Sequence, residues 1–552
     1  MLLERFSTYF LFPFALDREA IQEDHPQAWP GKTRWIDGLD SWIAGESGRS
    51  ASKGVSRLGV WKRSTYSRFD IDSPAYADLL FFNSIVRHVF FDTNIGRSSD
   101  DQENQLRCYT IGLNPAAKLW FAGTDALGGS GRAQVTDLRL YLSAQGTGIL
   151  SIGVEAETMD SAQALWINRR LRKLYPVDAS SISEGRTPNW LGLRLEEAAT
   201  TETICEERFD DLKLVGFYPP LPATVKSLLY FADYTQEEYE PVLDENMLVY
   251  SYGELTSGGG STVNLGADAA TVEEFLYLRH SHAGAVRYSS PRGDSAVAFT
   301  GHSCAMLGFN FSAPLTDDQW RTICGQSDGV VWVEKDARAI FHSRLYLIMI
   351  VACFYRAVLR DFSERSALVS RRLQTDQQAG RLSLASIQMV NDFRTEFLNF
   401  SGYWHFDELS TKHSGNDLFR RLCAEYRIDD VKEVLATELR HMTEFVYNFY
   451  QLRTTEAVNR LALLSLLFGG GAVLTGFFGM NFGREFGHIF FEGEGFGSVV
   501  HYFFVVLVIT FVFGSLCVGT FVVLRNWREY LAFLSPPKSP SRPSSIKRTT
   551  QP

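Results

Sequence analysis

The residues whose types and spacing could do chemistry lie near the end of the chain, at Gly479-Met480-Asn481 and in the acidic segment after it. Residues 482–498 carry Glu485, Glu492 and Glu494 against the single basic residue Arg484. Carboxylates gathered at one place raise the local concentration of cations, so this end of the chain is suited to drawing metal ions. No combination of Glu, His and Cys elsewhere forms a catalytic constellation, and the chain is not read as an enzyme.

The elements that must position these groups are two apolar runs. Leu461 to Phe478 is uncharged and almost wholly apolar, about 27 Å long as a helix, and Met480-Asn481-Phe482 would carry it across a hydrocarbon core. Val499 to Leu524 contains no Asp, Glu, Lys or Arg. Two spans this close form a hairpin with both ends on one side of the bilayer. Arg453 and Arg460 precede the first span, and Arg525, Arg528, Lys538, Arg542, Lys547 and Arg548 follow the second. Positive residues are retained on the cytoplasmic face, so both termini are expected in the cytoplasm. The expected organisation is a transmembrane helix at 461–482, an outer loop at 483–498, a second transmembrane helix at 499–524 and a basic tail at 525–552.

A first span ending in Gly-Met-Asn, a short outer loop, a second span and a basic tail together resemble the CorA superfamily of divalent-cation channels, which includes magnesium and zinc transporters. The match reads LTGFFGMNFG from Leu474 to Gly483 and extends over residues 428–527. The resemblance implies a homopentamer in which Gly479, Met480 and Asn481 form the selectivity filter. A ring of Asn481 amides would accept hydrogen bonds from a hydrated ion such as Mg²⁺, which sheds water reluctantly, without trapping it. Gly479 would let neighbouring backbones approach, and Met480 would pack beneath the ring. The family often has Met-Pro-Glu-Leu shortly after the motif, whereas this chain reads GREFGHIFFEGEGFG, which leaves the ion preference open.

Stepping back from Asn481 in the family's register gives a pore-lining face of Gly476, Ala472, Gly469, Ser465, Leu461, Val458 and Thr455. Its outer half is made of very small side chains, so a dewetting gate is expected at Leu461 and Val458. The run Gly469-Gly470-Gly471 departs from the family, and it either loosens the helix or permits close helix packing.

The same helix is expected to continue upstream as a stalk over 428–460. Ile428, Val431, Leu435, Met442, Phe445, Phe449 and Leu452 recur at spacings of three, four and seven, with no Gly or Pro from Ile428 to Phe468. So long a helix implies partners from other subunits. Its acids Asp429, Asp430, Glu433, Glu438 and Glu444 include candidates for the regulatory divalent-ion sites that the resemblance implies, with Asp429, Asp430 and Glu444 foremost.

The composition is ordinary, the full chain being 45% hydrophobic with a net charge of −10. No basic stripe with interleaved aromatics suggests nucleic-acid binding. Seven cysteines, Cys108, Cys205, Cys304, Cys324, Cys353, Cys423 and Cys517, show neither close pairing nor zinc spacing, and read as reduced, mostly buried thiols. Residues 1–16 lack a cleavage site and are broken by Pro13, so no targeting segment is expected and a bacterial inner membrane is the natural location. An α+β cytoplasmic domain is expected over 1–315 and a helical cytoplasmic region over 316–427. Val135 to Ser143 and Gly148 to Glu155 read as a hairpin, Ala162 to Tyr175 as a helix with an outer basic face, and Leu212 to Tyr218 and Ser227 to Tyr234 as strands. Leu345 to Phe354 is apolar but too short to span, and reads as a buried core helix. The stretches Gly128 to Gly131 and Gly258 to Ser261 read as loops without a phosphate-binding lysine, and His280 and His282 lack a third metal ligand.

Two functions fit. The first is a transporter passing Mg²⁺ or another divalent cation through a pentameric pore, with no organic cofactor. The second is a ligand-gated membrane effector whose large soluble part binds a small signal, as in superfamily members that resemble this chain in bacterial antiviral systems and respond to nucleotide messengers. The soluble part, with 427 residues before Ile428, exceeds that of transport-type relatives.

Overall fold

The computed structural model describes residues 2–31, 34–46, 58–64, 80–91, 106–114, 116–125, 129–172, 188–197, 200–208, 223–231, 239–241, 247–256, 275, 286–289, 295–310, 337–379, 382–479 and scattered positions between 503 and 525. The described strands are β1 (Leu2–Leu16), β2 (Lys62–Ser64), β3 (Leu106–Thr110), β4 (Ala117–Asp125), β5 (Ser130–Ser143), β6 (Thr147–Asp160), β7 (Pro188–Glu197), β8 (Thr200–Arg208), β9 (Tyr239–Pro241), β10 (Leu248–Thr256), β11 (Val286–Ser289), β12 (Ser295–Thr300) and β13 (Ser303–Asn310). They form one sheet in the order β11-β12-β13-β10-β1-β6-β5-β4-β7-β8, with β3 on β5, β2 on β3 and β9 on β1. Every pairing is antiparallel except β10 with β13.

The segment with no expected structural role, residues 1–16, is the central strand. Its apolar run YFLFPFAL from Tyr9 to Leu16 suits a strand covered on both faces, where alternation is lost. Pro13 would break a fully paired strand. It falls between Leu11, where pairing with β10 ends, and Phe14, where pairing with β9 begins, so among the described residues no partner on that side needs its missing N–H.

The expected hairpin is β5–β6, turned at Gly146, whose φ of +88° is a conformation glycine adopts without strain. Ser143 Oγ accepts from the backbone of Gln145 and Thr147 in the same turn. Two readings need correction. Where it is described, the stretch read as a strand over Ser227 to Tyr234 is not one: Ala223–Leu228 is a short helix, a turn follows at 229–231, and Leu228, Leu229 and Phe231 are buried, an ambiguity short apolar runs always carry. Arg172, assigned to an outer basic face, is buried. Ser130 and Gly131 open β5, while Leu212 to Tyr218, Gly258 to Ser261, His280, His282 and Cys324 lie outside the described residues.

On one face of the sheet α1 (Arg18–Asp24), α2 (Trp35–Glu46) and α3 (Ser161–Arg170) pack into a core with Phe6, Phe10, Phe12 and Phe14 of β1. Asp160 caps α3 by accepting from Ala162 N, and Asn168 of α3 bonds Thr8 and Ser251 beneath the strands at 2.9 Å each. The opposite face is covered by α4 (Tyr346–Gln378). Residues 346–354 of α4 are fully buried, as the ten-residue apolar run required.

α4 is preceded by a π-helical turn at Phe341–Leu345. α5 (Leu384–Asn399) runs straight into a second π turn at Phe400–Trp404. α6 (His413–Glu425) and α7 (Ile428–Gly479) complete the described fold. The chain divides into two compact units, one of residues 1–366 and 395–436, the other of 367–394 and 437–552. In the second unit Val369 and Leu373 of α4, Val390 of α5 and Met442 of α7 form a small core with Leu382, Phe445 and Val446. Asp376 locks the α4–α5 connection by accepting from Ser383 N and Ser386 Oγ, both at 2.7 Å.

Candidate functional site

α7 is a single helix of 52 residues, about 78 Å long. It passes through Gly469-Gly470-Gly471 without a break, so the glycine run does not loosen it. At Gly469, Gly470, Gly471 and Gly476 an added Cβ would meet nothing within 4 Å. Among the described residues these glycines therefore make no close packing. Thr455, Val458, Leu461, Ser465, Gly469, Ala472 and Gly476 are all exposed, with Val458 and Leu461 at 55% and 59%. Thr455 and Thr475 return their hydroxyls to carbonyls four residues back at 2.8 Å, the usual way a polar side chain is satisfied on an apolar helix.

Gly479 is the last residue of α7, while Met480, Asn481, Glu485, Glu492 and Glu494 lie outside the described residues. Among the described residues no helix is long and apolar enough to cross a membrane. Within 461–479 the side chains of Leu463, Leu466, Leu467, Val473, Leu474, Phe477 and Phe478 fall outside that description, as does most of 499–524. Of the predicted second span, Phe503, Phe511, Val518 and Phe521 are each at least 60% exposed, at positions that recur on helical spacing.

The stalk acids are engaged locally. Asp430 pairs with Arg427 at 3.0 Å, and Asp429 lies 3.7 Å from both Lys432 and His405. Lys432 Nζ stands 3.1 Å from His405 Nδ1, and Asp407 approaches the same nitrogen at 3.8 Å. Burial and then Lys432 hold the His405 imidazole below its usual pKa, so a neutral ring sits beside an ammonium that already occupies the space near Asp429. Glu444 is exposed on α7. Among the described residues no group of three or more His, Cys, Asp or Glu is arranged to hold a metal ion. Five of the described cysteines are buried and only Cys517 is exposed.

A second cluster, on the α4 side of the sheet, was not anticipated. Tyr250, Tyr9, Gly153 and Asp137 lie side by side across β10, β1, β6 and β5. The π turn before α4 covers this row. Tyr9 OH bonds His342 Nδ1 at 2.9 Å, and Tyr250 OH donates to the Phe341 carbonyl at 2.9 Å. The Tyr346 ring lies tilted against Tyr9 at 4.5 Å, and its hydroxyl bonds Ser151 at 2.9 Å. Glu155 lies 3.4 Å from both His342 Nε2 and Arg338. Burial, aided by Arg338 and Arg139, lowers the His342 pKa to about 4. The ring is therefore neutral at physiological pH, with Nδ1 hydrogen-bonded to the Tyr9 hydroxyl and Nε2 near Glu155 without a hydrogen bond to it. Burial also raises the Tyr9 and Tyr346 hydroxyls above their ordinary range. Phenols held protonated beside a neutral imidazole make a fixed hydrogen-bond network rather than a nucleophile–base pair. No local sequence signal marks this cluster, because Tyr9 and His342 stand 333 positions apart.

A third group joins Arg18 of α1, Glu396 of α5 and Arg365 of α4, with Glu396 2.8 Å from Arg18 and 2.6 Å from Arg365. Burial opposes ionisation of Glu396, but the two guanidiniums outweigh it and hold the carboxyl below its usual pKa.

No protein-family model matches the chain, and no curated protein matches it.

Proposed function

We propose that the chain is a CorA-like divalent-cation channel of a bacterial inner membrane, a homopentamer with both termini in the cytoplasm. The observation that carries this reading is α7, a helix of 52 residues that remains helical through three consecutive glycines and ends at Gly479, the first residue of the Gly-Met-Asn motif. Among the described residues no element covers the face of α7 from Thr455 to Gly476, which supports a face turned to an axis shared with other copies. On this reading Asn481 offers the outer amide ring to hydrated Mg²⁺ or a related ion, the loop acids Glu485, Glu492 and Glu494 concentrate it, and Val458 and Leu461 gate the inner end.

The test is ion flux into liposomes holding the purified protein, with Mg²⁺, Zn²⁺, Ni²⁺ and Na⁺ in turn. Divalent flux is expected, and Asn481→Ala is expected to abolish selectivity while the oligomer elutes unchanged. Unchanged ion preference in Asn481→Ala would remove the entrance-ring assignment. Absence of any flux, with the protein recovered without detergent as a water-soluble monomer, would remove the channel.

The thirteen-stranded sheet favours a second reading, in which this domain binds a small signal, such as a nucleotide messenger, and opens the same pore. Two long helices, α4 and α5, connect the sheet-bearing unit to the unit that contains residues 437–479 of α7. Poorly selective leakage that depends on an added nucleotide would favour the effector, and Mg²⁺-selective flux closed by internal Mg²⁺ would favour the transporter.

A further inference from the structure

Of the three helices that cross between the two compact units, α4 and α5 each carry a π turn at the end that belongs to the sheet-bearing unit, and α7 carries none. The first, Phe341–Leu345, precedes α4, and the second, Phe400–Trp404, follows α5. A π turn holds one residue more than the α-helix it interrupts and persists only where its surroundings over-determine it. Here each is fastened by a buried tyrosine hydroxyl. Tyr250 OH donates to the Phe341 carbonyl at 2.9 Å and its ring stacks on Phe341 at 4.2 Å. Tyr355 OH donates to the Trp404 carbonyl at 2.8 Å and accepts from Phe406 N at 2.9 Å. The bond from His405 N to the Phe400 carbonyl, 3.0 Å long, spans five residues and closes the second π turn. The His405 ring then stacks on Tyr355 at 5.0 Å.

The two fastenings are mechanically joined, because Tyr355 is itself a residue of α4, a short distance after the first turn. Release of the extra residue at the first turn would rotate the helix beyond it by about 100° and advance it by about 1.5 Å. That displacement carries Tyr355 away from the Trp404 carbonyl and opens the second turn. Conversely, α5 cannot change register at Trp404 without breaking a bond to α4. Packed elements of this kind have discrete arrangements rather than continuous ones.

We propose that the π turns at 341–345 and 400–404 are one coupled register switch, through which the state of the sheet is passed into α4 and α5. The sheet holds it through Tyr9 and Tyr250. Anything that moves β1 against β10 changes the hydroxyls available to His342 and to the Phe341 carbonyl, and the second turn responds through Tyr355.

The experiment is amide hydrogen exchange on the full-length chain in lipid nanodiscs, comparing wild type with Tyr250→Phe and Tyr355→Phe. Each variant keeps its ring and loses one hydrogen bond. Tyr250→Phe is expected to raise exchange about tenfold across 341–346 and also to raise it across 400–406, with β1 and β6 unchanged. Tyr355→Phe reads the coupling from the other end and is expected to loosen 341–346 as well as 400–406, because coupling is reciprocal. Deletion of Ser343, which removes the extra residue, is expected to protect 341–346 beyond wild type while loosening 400–406. Loosening confined to the mutated turn in both tyrosine variants would overturn the proposal. So would uniform loosening of the sheet in both, which would make the tyrosines props of the fold and not parts of a joint.

Discussion

Gly153 of β6 is the point at which the geometry makes its sharpest demand. A Cβ built there would stand 2.8 Å from Tyr9 Cε1 and 3.0 Å from Asp137 Cβ, closer than carbon atoms pack. The Tyr9 ring has little room to retreat. It is bounded by Tyr346 at 4.5 Å, Phe341 at 5.9 Å and Tyr250 at 6.1 Å, and its hydroxyl is held by His342. Overpacking a fixed site costs about 1–3 kcal/mol. Replacing a strand glycine by alanine returns about 0.5–1 kcal/mol of chain entropy, so Gly153→Ala is expected to destabilise by roughly 1–2 kcal/mol in denaturant titrations followed by tryptophan fluorescence. The diagnostic is the same substitution in a Tyr9→Leu background. With the ring gone the closest contact is relieved and only the one to Asp137 Cβ at 3.0 Å remains, so the cost of Gly153→Ala is expected to fall by about 1 kcal/mol. An equal cost in both backgrounds would refute the claim that this glycine exists to admit the Tyr9 ring.

Acid should unfold the protein partly through His342. Its folded pKa of about 4 lies below the ordinary 6.5, so the unfolded chain binds the proton first and stability falls as pH drops from about 6.5 towards 4, by up to about 3 kcal/mol. His342→Gln is expected to flatten that part of the stability curve, and a parallel curve would contradict it. Asp376→Ala removes the acceptor of two hydrogen bonds of 2.7 Å. It is expected to cost about 2 kcal/mol and to raise amide exchange at 383–387; protection there equal to wild type would show that Ser383 caps α5 unaided.

What could be read without coordinates was what a short stretch of chain decides by itself. The hairpin at Gly146 rests on one turn and two alternating strands, and the burial of 346–354 rests on ten apolar residues between two arginines. The long uninterrupted start of α7 follows from residues 428–468, which hold no Gly or Pro, and an apolar repeat; that repeat by itself points to partners in other subunits, whereas Met442 and Phe445 find theirs in α4 and α5 of the same chain. Residues 1–16 were opaque because a strand covered on both faces loses the period of two, and because Pro13 is tolerated only by the accident that pairing changes partner beside it. The Tyr9–His342 contact joins residues 333 positions apart, a separation at which no local pattern carries information. The π turns were equally hidden. Each turn here is specified by a tyrosine from elsewhere in the fold, which hydrophobic spacing along the helix does not report. The same reasoning bears on gating. The parts of this chain that local sequence determines, α7 and the motif that ends it, are the parts suited to forming a conduit. The parts that only tertiary contact determines, Tyr9, Tyr250 and Tyr355 on their carbonyl and imidazole partners, are the parts suited to sensing a state, because a bond between distant segments is the kind that a ligand or a strain at the sheet can make or break.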